Sequence, residues 1–190
     1  MIRIVNDKDV EELLNIYSYY VKNTAISFEY DVPSQEEFTN RIRSIKDKYP
    51  YLVYEENGKI VGYAYATYFK TRRAYDHSVE VSIYVDREYH GRGIGSALYE
   101  ALEKILVLQN ILNMYAVVTY PDVEDEYLTM HSRHFHEHLG FKVVGEFHKC
   151  GNKFGRWYNM VYLEKCIGEH DVPVLPVVTF ENIIHKVDLK

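Results

Sequence analysis

Apolar positions along the chain alternate between a helical period and a period of two. Ile2 to Val5 reads as a short strand. Behind it Asp7 or Asp9 can cap a helix whose apolar positions Val10, Leu13, Leu14, Ile16, Tyr17 and Tyr20 recur at helical spacing. Pro33-Ser34 followed by Glu36 and Glu37 has the composition of a second helix start, and Phe38, Ile42 and Ile45 mark its face until Tyr49-Pro50 stops it. Tyr51 to Glu55 and Ile60 to Phe69 are β-rich runs joined by Asn57-Gly58, the pair that best tolerates the positive φ angles of a tight hairpin turn. Val79 to Val85 alternates into a glycine-rich stretch, after which Ala97, Leu98, Ala101, Leu102, Ile105 and Leu106 trace another helical face. Leu112 to Thr119 predicts a strand and Tyr120 to Glu126 a polar loop. A short helix then runs to Leu139 and stops at Gly140, a residue suited to a left-handed cap, and Phe141 to Phe147 and Arg156 to Leu163 predict two further strands.

The order β-α-α-β-β-β-α-β-α-β-β mixes hairpins with crossovers and predicts an α/β (α+β) domain with a mixed sheet over residues 1–166. Past Gly168 the spaced Pro173 and Pro176 argue against regular structure, so 167–190 reads as a tail packing on the domain or on a partner. With 190 residues, 47% of them hydrophobic, one domain can bury its core without disulfides or metals. The formal net charge of -6 removes the basic field that nucleic-acid binding needs. Cys150 and Cys166 are too few for a disulfide framework and read as reduced, structural thiols. The N-terminus lacks the apolar region of a signal peptide and no apolar run is long enough to span a bilayer, so the expectation is a cytoplasmic protein with no membrane partner. The 19 tyrosines read as half-buried filler ahead of a dedicated aromatic platform.

The sharpest chemical signal is His90-Gly91-Arg92-Gly93-Ile94-Gly95-Ser96. Three glycines at alternate positions let successive N–H groups turn inward, and the helix behind them adds its positive end, so an anionic pyrophosphate fits. Arg92 can add a charged contact and Ser96 a hydroxyl. A plain strand-to-helix turn is the bland alternative, and a dinucleotide-binding turn would want its third glycine where Ser96 stands. Glu80, between Val79 and Val81, is a candidate base because desolvation there raises its pKa. On the residues alone, a solvent-facing or arginine-paired strand carboxylate is the commoner reading. His131, His134, His136 and His138 invite a metal reading, since His134 and His138 share a helical face. No cysteine or complete ligand set accompanies them, and a solvated histidine face is preferred over a zinc site.

The glycine segment is similar to the pyrophosphate motif of the GNAT acetyltransferases: Gln or Arg, any two residues, Gly, any one, Gly or Ala. His90 departs from its first position. Further blocks resemble the phosphinothricin acetyltransferase family in the same order. These are Ser27-Phe28, Tyr49 to Val53, Ala64-Tyr65-Ala66, Lys70, Arg72, Ala74-Tyr75-Asp76, Val79-Glu80 and Ser96 to Tyr99. His136-Glu137, Leu139-Gly140-Phe141, Gly151, Lys153, Trp157 and Pro173 to Pro176 follow. The resemblance implies a single GNAT domain with a mixed, mostly antiparallel twisted sheet flanked by helices. It also implies acetyl-CoA as co-substrate, no metal, a small-molecule amine acceptor attacking directly in a ternary complex, and a homodimer.

By the same resemblance Glu80 is the general base, direct or through water, and His136 either protonates the departing thiolate or contacts the substrate. Backbone amides of Ile83, Tyr84 and Val85 would hold the pantetheine, with Gly91, Arg92, Gly93, Ile94, Gly95 and Ser96 on the phosphates. Ser132 and Thr129 complete the cofactor contacts, Thr129 standing where the family has an asparagine. Lys70, Arg72 and Tyr75 would receive the acidic groups of the acceptor, with a solvated charged loop as the equal alternative. Phe28 and Trp157 match positions near the acceptor pocket, although aromatic residues are more often core. Tyr158-Asn159 departs from the family pattern. The acidic run Glu124, Asp125 and Glu126 would suit a cationic acceptor, which keeps a polyamine, an aminoglycoside or a protein N-terminus as a second reading. A catalytically silent acyl-CoA sensor is a third, against which the joint presence of Glu80 and His136 argues.

Overall fold

A computed structural model describes residues 1–189, and its elements follow the predicted order. They are β1 (Ile2–Ile4), α1 (Val10–Asn23), α2 (Gln35–Ile45), β2 (Tyr51–Glu56), β3 (Lys59–Tyr68), β4 (Ser78–Val85), α3 (Ile94–Leu108), β5 (Asn113–Tyr120), α4 (His131–His138), β6 (Lys142–Lys153), β7 (Arg156–Cys166) and α5 (Phe180–Ile183). One seven-stranded sheet has the order β1-β2-β3-β4-β5-β7-β6. Its β4–β5 pair is parallel and every other pair is antiparallel.

Local chemistry accounts for most of the boundaries. Ser34 Oγ accepts the Glu37 N–H at 3.1 Å and caps α2. Asn57 and Gly58, at φ of 53° and 78°, make the tight turn between β2 and β3. Asp9 precedes α1 but does not cap it. Its carboxylate is taken by the Arg3 guanidinium at 2.7 and 2.9 Å and by the Asn6 N–H at 2.7 Å, which pins the β1–α1 turn instead. Strand β6 is longer than its apolar pattern predicts, because two register shifts absorb extra residues as bulges between Val143 and Gly145 and between Phe147 and Gly151.

The two faces of the sheet carry different cores. Helix α3 lays Leu98, Leu102 and Leu106, all fully buried, against Val79, Val81 and Val61, each leucine contributing about 2 kcal/mol. Helices α1 and α2 cover the other face, where Tyr17, Tyr20, Phe38, Tyr51 and Tyr63 form the core and the Tyr51 and Tyr65 rings stack at 4.7 Å. Tyrosine is the filler of that face. Two expectations are corrected. Cys150 and Cys166 are free and exposed, so neither is a core thiol. Residues after Gly168 include one turn of helix, α5, whose Phe180 and Ile183 are buried, and Phe180 N–H donates to Lys48 O at 3.0 Å. Among the described residues no helix is long and apolar enough to cross a membrane.

The feature that builds the site is a fork in the sheet. Strands β4 and β5 pair only over Ser78 to Glu80, against Asn113 to Tyr115. Beyond Glu80, β4 stays with β3 as far as Val85 and β5 stays with β7 as far as Tyr120, so a gap opens between them.

Candidate active site

At the far end of β4 the chain turns through Gly91 and Gly93, at φ of 74° and 78°, a backbone that non-glycine residues resist. A Cβ at either position would meet nothing within 4 Å, so the space before the turn is open. The first hydrogen bond entering α3 is from Ala97 N–H to Gly93 O at 3.0 Å. Among the described residues the N–H groups of Gly91 to Ser96 have no protein acceptor. Gly91, Gly93, Ile94, Gly95 and Ser96, with these unpartnered donors and the positive end of a fifteen-residue helix, line one groove of about 410 Å³. Thr129 and Ser132 line its opposite wall, together with Tyr20, Ile83, Val85 and Phe135. Gly95 is required for that wall, since a Cβ there would lie 3.0 Å from the Phe135 ring. The Arg92 side chain leaves the groove. It lies over the Tyr89 ring at 4.6 Å, donates to Glu88 O at 3.2 Å and reaches Glu56 at 3.6 Å, and Arg92 does not line the groove.

The groove continues into the fork. Asp86 N–H donates to Val61 O at 2.8 Å, and strict alternation along β4 then turns the Tyr84 amide toward β3 and the Ile83 and Val85 amides into the gap. Of the three backbone groups expected to face the cofactor, Tyr84's is committed to the sheet. A narrower cavity of about 60 Å³ lies in the gap, walled by Ser82, Tyr99, Thr119 and His136, and it shares Ile26, Ile83 and Ser132 with the groove.

Glu80 sits where the fork begins, half-buried, and burial pushes its carboxyl above the ordinary range while Lys70 opposes the rise. The Lys70 ammonium lies over the Phe69 and Tyr162 rings at 4.7 and 5.9 Å. His136 is the one buried member of the histidine cluster, with His131, His134 and His138 exposed. Its Nδ1 lies 2.7 Å from Ser132 O, an atom that only accepts, so Nδ1 carries the proton and Nε2 accepts from the Tyr99 hydroxyl at 3.0 Å. Burial lowers the His136 pKa, which keeps the ring neutral, and pushes the Tyr99 hydroxyl well up. A neutral His136 has its one ring proton on Nδ1, held by Ser132 O. The Tyr99 hydroxyl proton is itself taken up by His136, and Tyr99 is a residue to which the sequence reading gave no role. Among the described residues no trio of His, Cys, Asp or Glu is placed to hold a metal ion.

On the acceptor side the sequence candidates divide. Lys70 joins Glu80, and Tyr75 meets Phe69 edge-on at 5.9 Å, while Arg72 is exposed in the turn before β4. The Phe28 ring occupies the space where a Cβ on Gly151 would stand, only 2.1 Å away, and packs with Ala25, Leu128 and Tyr158. Trp157 lies on the other face of the β6–β7 hairpin, 61% exposed. The structure therefore does not bring Phe28 and Trp157 together. The acidic loop lines neither the groove nor the cavity in the gap. Asp125 and Glu126 are held by Arg156 at 2.9 and 2.8 Å, and Glu124 accepts the Met130 N–H at 2.7 Å. Tyr158 and Asn159 are part of the same bracing, donating to Asp125 at 2.9 Å and Asp122 at 2.7 Å. Lys153, fully buried, donates from one ammonium to Val21, Thr24 and Ser27 carbonyls at 2.7, 2.9 and 2.6 Å, and so fixes the segment that carries Phe28. Sequence reasoning assigned it no role.

The acetyltransferase (GNAT) domain family profile matches residues 2–162. The chain is 33% identical over 175 residues to a phosphinothricin N-acetyltransferase of Alcaligenes faecalis, covering 90% of this chain and 84% of that protein. It is 27% identical over 176 residues to the L-methionine sulfoximine/L-methionine sulfone acetyltransferase of Salmonella typhimurium, covering 90% and 97%. Among solved structures, a GNAT superfamily phosphinothricin acetyltransferase from Sinorhizobium meliloti, in complex with acetyl-CoA, superposes with a TM-score of 0.82 at 30% identity, over 95% of this chain and 97% of that one.

Proposed function

The chain belongs to the GNAT acetyltransferase family, an acetyl-CoA dependent N-acetyltransferase by that membership, and from this premise we propose that its acceptor is the amine of a small amino acid of phosphinothricin or methionine-derivative type. The reading places it in the cytoplasm. The observation that carries it is the row of unpartnered N–H groups from Gly91 to Ser96, beside a groove that shares Ile26, Ile83 and Ser132 with the cavity in the gap, which opens just past the half-buried Glu80. An open cradle with no Cβ at Gly91 and Gly93 fits a pyrophosphate, and the gap between β4 and β5 fits the narrow pantetheine arm.

Bound acetyl-CoA supplies the acetyl group as a thioester, whose C–S bond breaks as the C–N bond forms. The Ile83 and Val85 N–H groups hold the arm and polarise the carbonyl, with Thr129 and Ser132 closing the groove. Glu80 takes the proton of the attacking amine, directly or through water, its raised pKa suiting a base. Tyr99 and His136, hydrogen-bonded to each other at 3.0 Å in the gap, are assigned to the side where the sulfur departs, His136 protonating the thiolate or contacting the acceptor. Lys70, Arg72 and Tyr75 receive the acidic groups of the acceptor, and Phe28 shapes its side-chain pocket. We read the chain as a homodimer built on the free β6 edge, where Val143, Val144 and Phe147 are exposed and where Trp157 on β7 awaits cover. Arg156 compensates one of the three charges of Glu124, Asp125 and Glu126, and none of the three lines the groove or the cavity in the gap, so a cationic acceptor gains no contact from them there.

The test is thiol release from acetyl-CoA across phosphinothricin, methionine sulfone, common amino acids, polyamines and aminoglycosides. Turnover on the first two is expected, falling about 100-fold in Glu80→Gln. Turnover confined to polyamines or aminoglycosides would replace the acceptor class. An E80Q rate equal to that of the parent at neutral and high pH would remove Glu80 as base.

A further inference from the structure

Lys70 reaches the place where an acceptor amine would meet the fork. It follows β3, three residues past Thr67, the β3 partner of Glu80. Its side chain turns back over the sheet, so that the ammonium lies 4.7 Å from the Phe69 ring and 5.9 Å from the Tyr162 ring, with Phe69 stacked on Tyr115 at 4.2 Å. Tyr115 is the β5 partner of Glu80, and Tyr162 pairs with Val117, two residues farther along β5. Partners in register, and residues two apart on one strand, share a face of a sheet. The ammonium therefore stands over the face that carries the Glu80 carboxyl, at the level where β4 and β5 part.

This amine is also free to react. Lys46, Lys59, Lys104 and Lys165 each pair with a carboxylate, and Lys153 is taken by three carbonyls. Among the described residues neither kind of oxygen holds Lys70, whose ammonium meets only ring faces. The Glu80 carboxyl feels its charge, which opposes the rise that burial causes. A primary amine on a flexible stem, with a carboxylate base beside it, lacks only an acyl donor.

We propose that Lys70 is a self-acetylation site: with acetyl-CoA bound and no acceptor present, Lys70 Nζ takes the acetyl group. The C–N bond forms as the thioester C–S bond breaks. Of the three ammonium hydrogens, one passes to Glu80 and on to water, one leaves on the sulfur as the thiol, and one stays on the new amide. The product is neutral and no longer attracts the acidic group of an acceptor. The inference rests on the acetyltransferase reading above, with Glu80 as its base.

The test incubates the unaltered protein with saturating acetyl-CoA and no acceptor, and follows each lysine by peptide mass spectrometry. Lys70 should be acetylated about 100-fold faster than the exposed Lys22, Lys104 and Lys142, at a fractional rate independent of protein concentration. Excess coenzyme A, which fills the groove without an acetyl group, should suppress the reaction, and Glu80→Gln should slow it about 100-fold. Acetylation of Lys70 no faster than that of the other three lysines, undiminished by coenzyme A, or as fast in urea-unfolded protein would overturn the proposal. So would an E80Q variant slowed on an external acceptor but not on Lys70. Any of these results alongside acceptor turnover leaves the acetyltransferase reading in place. Failure of acetyl-CoA to bind, measured by calorimetry, would overturn that reading and this inference together.

Discussion

In the segment Gly91 to Ser96, which borders the groove, successive N–H groups have no acceptor among the described residues, whereas between Val21 and Ser27 three carbonyls converge on the one ammonium of Lys153. Both segments flank the same site and both end or begin a helix. The first leaves its hydrogen bonding unfinished on the side where an anionic co-substrate arrives, so the ligand completes it. The second finishes its hydrogen bonding inside the protein, which fixes the position of Phe28 before any acceptor is present. Backbone donors left open make a binding site; backbone acceptors closed by a buried cation make a rigid wall.

Breaking the finished segment should produce the largest effect. Lys153→Met leaves three carbonyls without their donor, and urea denaturation should show a loss of about 3 kcal/mol or more. The KM for the acceptor should rise while that for acetyl-CoA holds. Undiminished stability would mean that Phe28 packed over Gly151 carries the loop by itself. The unfinished segment responds differently. Gly95→Ala drives a methyl against the Phe135 ring at 3.0 Å, narrowing the groove. Coenzyme A binding by calorimetry should weaken about tenfold, with the melting temperature nearly preserved. If affinity is unchanged, the α4 wall yields and is not part of the cradle. The smallest effect comes from His136, which neither segment holds. Burial lowers its pKa below the value in the unfolded chain. The unfolded chain therefore binds the extra proton first, so the stability contributed by neutral His136 is complete above the unfolded imidazole range and is lost as pH falls toward the lowered value. Comparing denaturation curves of the parent and His136→Asn across that range should show a shallower pH slope in the variant.

The reach of sequence reasoning follows the same division. The hairpin at Asn57-Gly58, the cap at Ser34 and the glycine cradle were legible because each is set by the φ angles or donors of adjacent residues. Helix faces were legible from spacing alone. Lys153 was not, since its carbonyl partners lie 126 to 132 residues away. Nor was the fate of the acidic loop, because nothing local says that Arg156 returns to pair with Asp125 and Glu126. Asp9 looked like a cap until Arg3 claimed its carboxylate. Arg92 sits within the motif it resembles, yet Tyr89 and Glu56 draw its side chain off the groove.

The sequence by itself determined the elements, their order and the open amides of the cradle, since periodicity and glycine conformations act over a few neighbouring residues. Only the tertiary structure decided that β4 and β5 separate after Glu80, that the Tyr84 amide is spent on β3, and that His136 accepts rather than donates at Nε2. Those outcomes depend on which distant partner reaches a polar group first. Many partners in the chain have the same chemistry, and packing is what selects among them.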